Sequence, residues 1–237
     1  MTKSLPFKML FMRLALFAIF QSLIALVFVF IDKPDAWYQS QGWWIISGLL
    51  TNIVTFIVLR NLFKKEGMGY FDNLKFIRKD WWKDILILVG VMAITVPISM
   101  YPNTIIANLL YGSTDITLHL FFRSLPYWVI ALGFVWSLTQ GLVELPFYFA
   151  YIMPRIEKQL GNGWIAWALA SLFLALQHIT MPLIFDIKFI IWRFGMFLLF
   201  AFFIGFCLKF RPRLFPYVMI IHVLMDMGTV AMLISVK

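Results

Sequence analysis

Residues 189–208 read FIIWRFGMFLLFAFFIGFCL, twenty positions with one charge, Arg193, and no alternation of polar with apolar side chains. An α-helix needs about 20 apolar residues to cross a hydrocarbon core of roughly 30 Å. Backbone N–H and C=O groups find no water there, so a spanning segment is a helix or part of a closed barrel, and barrel strands alternate in polarity. The stretch therefore specifies a transmembrane helix. Six further runs of the same kind occupy 14–31, 43–59, 85–106, 127–153, 164–181 and 214–236. The fold class is all-α: a polytopic membrane protein of about seven transmembrane helices in a bundle. An eighth pass stays open if 118–158 hides two crossings rather than one long tilted helix.

The whole chain agrees with that reading. Its 237 residues are 62% hydrophobic and 13% charged, with a mean hydropathy of +0.89, whereas soluble domains carry about 25% charged residues. A single cysteine, Cys207, rules out an intrachain disulfide and a paired-cysteine zinc site. The net charge of +9 belongs with topology and anionic headgroups, so the bilayer is an expected partner and nucleic acid is not.

Orientation follows from the distribution of Lys and Arg. Lys3, Lys8 and Arg13 precede the first run; Arg60, Lys64, Lys65, Lys75, Arg78, Lys79 and Lys83 lie between the second and third; Arg155 and Lys158 follow the fourth; Lys209, Arg211 and Arg213 follow the sixth. The other side keeps Lys33, Arg123, Lys188, Arg193 and Lys237. The expectation is an integral protein of a bacterial cell membrane, N-terminus cytoplasmic and C-terminus extracytoplasmic. The first run is too long for a signal-peptide core and lacks an A-x-A site, so it reads as a retained anchor. Residues 70–82 (YFDNLKFIRKDWW) mix aromatic and aliphatic with basic residues, as in an amphipathic helix lying in the headgroup region or in an ordinary polar loop. The chain divides into 1–126, with three spans and this segment, and 127–237, which holds the chemistry.

Glu144 and Asp226 are the acids placed deep within spans, and His178 and His222 lie in spans as well, while His119 falls in a connector. Ionisable groups in hydrocarbon are costly and mark function by default. At 1.5 Å per residue, Glu144 lies roughly 14 Å, His178 roughly 21 Å, His222 roughly 12 Å and Asp226 roughly 18 Å from the cytoplasmic end of their spans. Three helices thus place polar groups in one layer. His222 and Asp226, four apart, share a helix face. Pro146 removes a backbone donor and is expected to kink its helix beside Glu144. Gln140 and Tyr148, at i−4 and i+4 from Glu144, are placed to hydrogen-bond it or to line its face. An interhelical polar clamp with no catalysis accounts for the same residues.

Residues 143–158 (VELPFYFAYIMPRIEK), 168–178 (ALASLFLALQH) and 222–226 (HVLMD) together resemble the CAAX-protease and bacteriocin-processing (CPBP, or Abi) family of intramembrane proteases, also called type II CAAX prenyl endopeptidases. That family carries Glu-Glu-x-x-x-Arg, Phe-x-x-x-His and His-x-x-x-Asn/Asp motifs on transmembrane helices. The resemblance covers about 127–236. It implies that Glu144 and His178 activate a water for attack on a peptide carbonyl, and that His222 and Asp226 stabilise the oxyanion. Leu145 stands in place of the second glutamate, Phe149 in place of the arginine and Leu174 in place of the second-motif phenylalanine. An ionised Asp226 accepts hydrogen bonds and cannot donate one to an oxyanion, which leaves it protonated, orienting His222, or ligating a metal.

The implied function is a hydrolase that cleaves membrane-associated peptides or protein termini. The alternative is a catalytically inactive relative acting as membrane scaffold, immunity factor or partner of another membrane protein. A proton-coupled transporter fits the buried acids but lacks inverted repeats. No cofactor is expected; if a metal such as zinc were held, Glu144, His178, His222 and Asp226 would be its ligands.

Overall fold

A computed structural model describes residues 4–235; Lys3, Val236 and Lys237 of the topology reading lie outside them. A short helix α1 (Leu5–Leu10) leads into α2 (Met12–Phe30), and α3 (Ala36–Gly42) into α4 (Trp44–Lys65). Then come α5 (Trp81–Tyr111) and α6 (Thr114–Phe121). The second half comprises α7 (Tyr127–Leu145), α8 (Met153–Leu160), α9 (Gly163–Leu176), α10 (Ile187–Phe210) and α11 (Phe215–Ser235). The protein is an all-α polytopic membrane bundle. Among the described residues six helices are long and apolar enough to cross a membrane, and a shorter apolar helix, Gly163–Ile179, joins them. Leu86, Val89 and Ile94 on α5, like Ile19 and Val27 on α2, face outward, where a bilayer supplies the apolar solvent.

The eighth span does not form, because Tyr127–Leu160 is one continuous helical run. It widens to π geometry over Pro146–Ile152 between α7 and α8, so the strain expected at Pro146 is spread over about two turns. Pro146 has no N–H to give the Leu142 carbonyl, and the Tyr70 hydroxyl donates to that carbonyl instead at 2.6 Å. Pro154 likewise deprives the Ala150 carbonyl, which accepts from Arg155 Nη1 at 3.2 Å. Arg155 is held by a two-pronged pair with Glu66.

Residues 70–82 do not form an amphipathic helix. A single 3₁₀ stretch, Tyr70–Leu74, is followed by irregular chain up to the turn at Asp80, whose φ is +58°. Anchors to other parts of the chain, together with short-range contacts of Asp72, hold this segment outside a helix. Tyr70 reaches into the bundle, and Lys79 gives its carbonyl to Arg213. Asp72 pairs with Lys75 at 2.9 Å and accepts the Gly69 N–H at 2.5 Å; these contacts hold its carboxyl below the usual range. Burial pushes the Tyr70 phenol up, which keeps it a donor.

The connectors with most basic residues meet at one end of the bundle. There Glu66 faces Arg155, Glu157 faces Lys209 at 3.2 Å, and the buried Asp84 faces Arg211 at 3.1 Å and Arg213 at 2.8 Å.

The expected span 164–181 is helical only to Leu176 and continues as a 3₁₀ turn, Gln177–Ile179. The chain then runs without helix to α10, although α9 and α10 lie side by side. Non-helical backbone at membrane depth requires partners from within the protein. Gln21 on α2 supplies them: its amide donates to the Leu183 carbonyl at 2.8 Å and accepts the Leu183 N–H at 2.7 Å.

Glycine sets the approach of α11 to α7. A Cβ on Gly141 would lie 2.3 Å from Val223 Cγ2 and 3.0 Å from the Met219 carbonyl oxygen, and one on Gly133 would meet Val230 at 2.8 Å. Small residues at such crossings let backbones close up, as membrane helices require.

Candidate active site

Glu144 ends up 1% exposed on the last turn of α7. In the π segment that follows, Phe147, Tyr148 and Phe149 are all buried. Its Oε2 accepts from Gln140 Nε2 at 2.5 Å, one helical turn back, and its Oε1 accepts from Gln177 Nε2. Gln177 is presented by the 3₁₀ turn that ends α9, and the next residue of that turn is His178. The change from α to 3₁₀ geometry therefore delivers two adjacent side chains to one carboxylate.

His178 Nε2 lies 3.6 Å from Glu144 Oε1. Its Nδ1 is 2.9 Å from the Leu174 carbonyl, an acceptor only, so Nδ1 carries the proton. A neutral His178 ring then turns the Nε2 lone pair toward the carboxylate. The ring stacks on Phe197 with centroids 3.6 Å apart. From the opposite side, α11 brings His222 Nε2 to 3.3 Å from Glu144 Oε2 and 3.4 Å from Asp226 Oδ2. His222 Nδ1 and Asp226 Oδ2 are buried with no hydrogen-bond partner among the described residues. The four residues expected to form one layer thus meet. Gln140 bonds Glu144 directly, whereas Tyr148 lies one step away, its hydroxyl 3.4 Å from Gln177 Oε1.

Arg13 was counted among the basic residues flanking the first span, and this is corrected by its burial at 0% exposure in the middle of the site. Its Nε donates to Gln177 Oε1 at 2.6 Å and its Nη2 to Gln140 Oε1 at 3.0 Å. Nη1 and Nη2 both reach Asn52 Oδ1 at 3.1 Å. Arginine offers only donors, so each glutamine must turn its oxygen to Arg13 and its nitrogen to Glu144. The network joins one cation, three amides and one carboxylate, with each glutamine bridging Arg13 to Glu144. The sequence held one signal for it, a basic residue within a turn of an apolar span beside Gln177 and Asn52, themselves polar residues in apolar runs.

Arg193 is a second correction. Expected at the extracytoplasmic flank, it is 3% exposed inside the bundle. It lines, with Glu144, His178, His222 and Asp226, a cavity of about 480 Å³. Thr114 and Thr117 of α6, Trp192 of α10 and Met225 of α11 are also on its walls. Such a volume falls in the range of sites for small molecules and short peptide segments. Among the described residues no three of His, Cys, Asp and Glu are grouped so as to share a metal ion.

Comparison of the chain with protein-family models, with curated proteins and with solved structures gives no match.

Proposed function

We propose that the protein is an intramembrane endopeptidase that hydrolyses membrane-associated peptides or protein termini, in the manner of the CPBP proteases its motifs resemble. The observation that carries this reading is the gap of 3.6 Å between Glu144 Oε1 and His178 Nε2, on the wall of a cavity at membrane depth. Two acceptors so close on one cavity wall can hold a water by hydrogen bonds, with Glu144 as the one that removes a proton. Glu144 takes a proton as the oxygen attacks the peptide carbonyl, and returns it to the departing amine. His222, 3.3 Å from the other carboxylate oxygen, supplies a donor for the oxyanion, and Asp226 orients it. A carboxylate surrounded by amide donors stays oriented without the motif arginine, whose place Phe149 takes; Arg13 brings a cation from another helix. The basic end of the bundle is assigned to the cytoplasm of a bacterial cell membrane.

One observation favours a non-catalytic membrane scaffold or partner protein: both oxygens of Glu144 already accept glutamine amides. Profiles of secreted and membrane-bound small peptides decide between them. Cells carrying Glu144→Gln at unchanged protein level are expected to lose specific cleaved species. If the profile matches wild type while deletion of the gene still has a phenotype, the scaffold reading replaces the protease.

A further inference from the structure

The guanidinium of Arg193 has no carboxylate partner among the described residues. Its Nη2 donates to the Met181 carbonyl at 2.9 Å, Nη1 faces the Met196 sulfur at 3.5 Å, and Nε is buried without a partner. Phe121, Phe197 and Trp192 surround it, the guanidinium carbon lying 4.5, 5.0 and 5.5 Å from their ring centroids. Aromatic faces soften the burial of a cation but neutralise no charge. A membrane-embedded charge with no counter-ion is costly to hold, and such residues mark ligand pathways. Asn103 lies on the same cavity wall. Its oxygen accepts the Trp192 indole N–H at 2.8 Å, which leaves its NH₂ as a further donor.

Arg193 and His178 both contact the Phe197 ring, the cation at 5.0 Å and the imidazole at 3.6 Å. We propose that Arg193 forms an anion subsite that takes a carboxylate of the substrate peptide, within about three residues of the bond attacked, given roughly 3.3–3.6 Å per extended residue. The carboxylate is either the chain terminus or an acidic side chain, and its planar pair of oxygens matches the guanidinium fork. That the ligand is a peptide rests on the protease reading; that the site takes an anion does not. The cavity of about 480 Å³ suits a short peptide better than a two-chain phospholipid.

The test is equilibrium binding to the full-length protein in nanodiscs of neutral phosphatidylcholine, read by tryptophan fluorescence, since Trp136 and Trp192 line the cavity. The probes are N-acetyl-trileucine acid, its C-terminal amide, and the amide with aspartate as third residue. The expected result is binding of the acid, or of the aspartate amide, about tenfold or more tighter than the plain amide. Whichever of the two gains identifies the carboxylate source. Arg193→Gln is expected to abolish the preference and Arg193→Lys to keep part of it. Equal binding of all three probes, no saturable binding, or a preference that survives Arg193→Gln overturns the proposal. So does Arg193-dependent binding of dihexanoyl phosphatidylglycerol when the peptides do not bind. The acid–amide comparison on the wild type needs no variant to fold. Binding is read without turnover, so failure of the subsite and failure of the protease reading give separate results.

Discussion

Arg13 reaches Glu144 through two glutamines: Gln140 and Gln177 each accept from the guanidinium and donate to the carboxylate. The charge on α2 thereby fixes the orientation of a carboxylate on α7 and of the turn that carries His178. Removing one member of a buried network of this kind costs about 3–5 kcal/mol, because its partners are left desolvated and unpaired. Arg13→Met is therefore expected to lower the unfolding temperature of the detergent-solubilised protein sharply and to abolish the Glu144-dependent peptide species. Arg13→Lys keeps the charge but, with one nitrogen, cannot serve Gln140, Gln177 and Asn52 together. It is expected to retain the fold with activity reduced about tenfold or more. Full activity in Arg13→Lys would show that charge alone, and not the fork, matters.

The close crossing at Gly141 sets the distance from His222 to Glu144. A methyl group there meets Val223 and the Met219 backbone, and backbone cannot yield as a side chain does. Gly141→Ala is expected to cost about 1–3 kcal/mol from overpacking. If the proposed protease activity holds, displacing α11 should lower it by about a hundredfold, the scale set by misplacing a reacting group by an ångström. The control is Gly90→Ala on α5, where an added Cβ meets nothing within 4 Å and activity should be unchanged.

The proline at 146 and the tyrosine at 70 form a matched pair. Tyr70→Phe leaves the Leu142 carbonyl without a donor and is expected to destabilise the protein by about 1–3 kcal/mol. Pro146→Ala restores a backbone N–H, so the Tyr70→Phe penalty should shrink in the double variant. Additive effects in this cycle, measured by thermal unfolding, would separate the two residues.

The transmembrane runs were legible because hydrocarbon leaves the backbone no alternative to a helix. The layer of Glu144, His178, His222 and Asp226 was legible because helical rise converts sequence position into depth. Arg13 and Arg193 were not, since a cation near the end of an apolar run reads the same whether it turns to the headgroups or inward, and only the packing of α2 on α4 and α9 on α10 decides. The end of α9 at Leu176 was hidden for a similar reason. Its apolar run continues to Met181, just before Pro182, and the non-helical backbone beyond is held by a distant side chain, Gln21, at Leu183. Residues 70–82 left helix and loop both open, because the anchors that decide for the loop, Leu142 and Arg213, lie far along the chain.

Gln21 is accordingly expected to be critical without touching the site. Gln21→Leu strips partners from both the N–H and the C=O of Leu183, at about 1–3 kcal/mol for each buried group left unpaired. Gln21→Glu keeps the acceptor for the N–H and loses the donor, so its unfolding temperature should fall between the two. Because residues 180–186 tether the end of α9, activity should fall in the same order. Equal stability of Gln21→Leu and wild type would mean that water replaces the amide, and that this segment is wetter than its burial implies.

The orientation of the bundle is tested by chemistry at its two ends. In a Cys207→Ser background, Lys158→Cys reports the end where Glu66, Arg155, Glu157 and Lys209 meet, and Lys188→Cys reports the second residue of α10 at the other. With the basic end in the cytoplasm, a membrane-impermeant maleimide applied to intact cells should label Lys188→Cys at once and Lys158→Cys only after permeabilisation. The positive-inside tendency counts Lys and Arg in short connectors, and burial of Arg13 and Arg193 removes one charge from each side of that count, so the bias survives. The reverse labelling pattern would invert the topology and place the connector between α8 and α9 outside the cell.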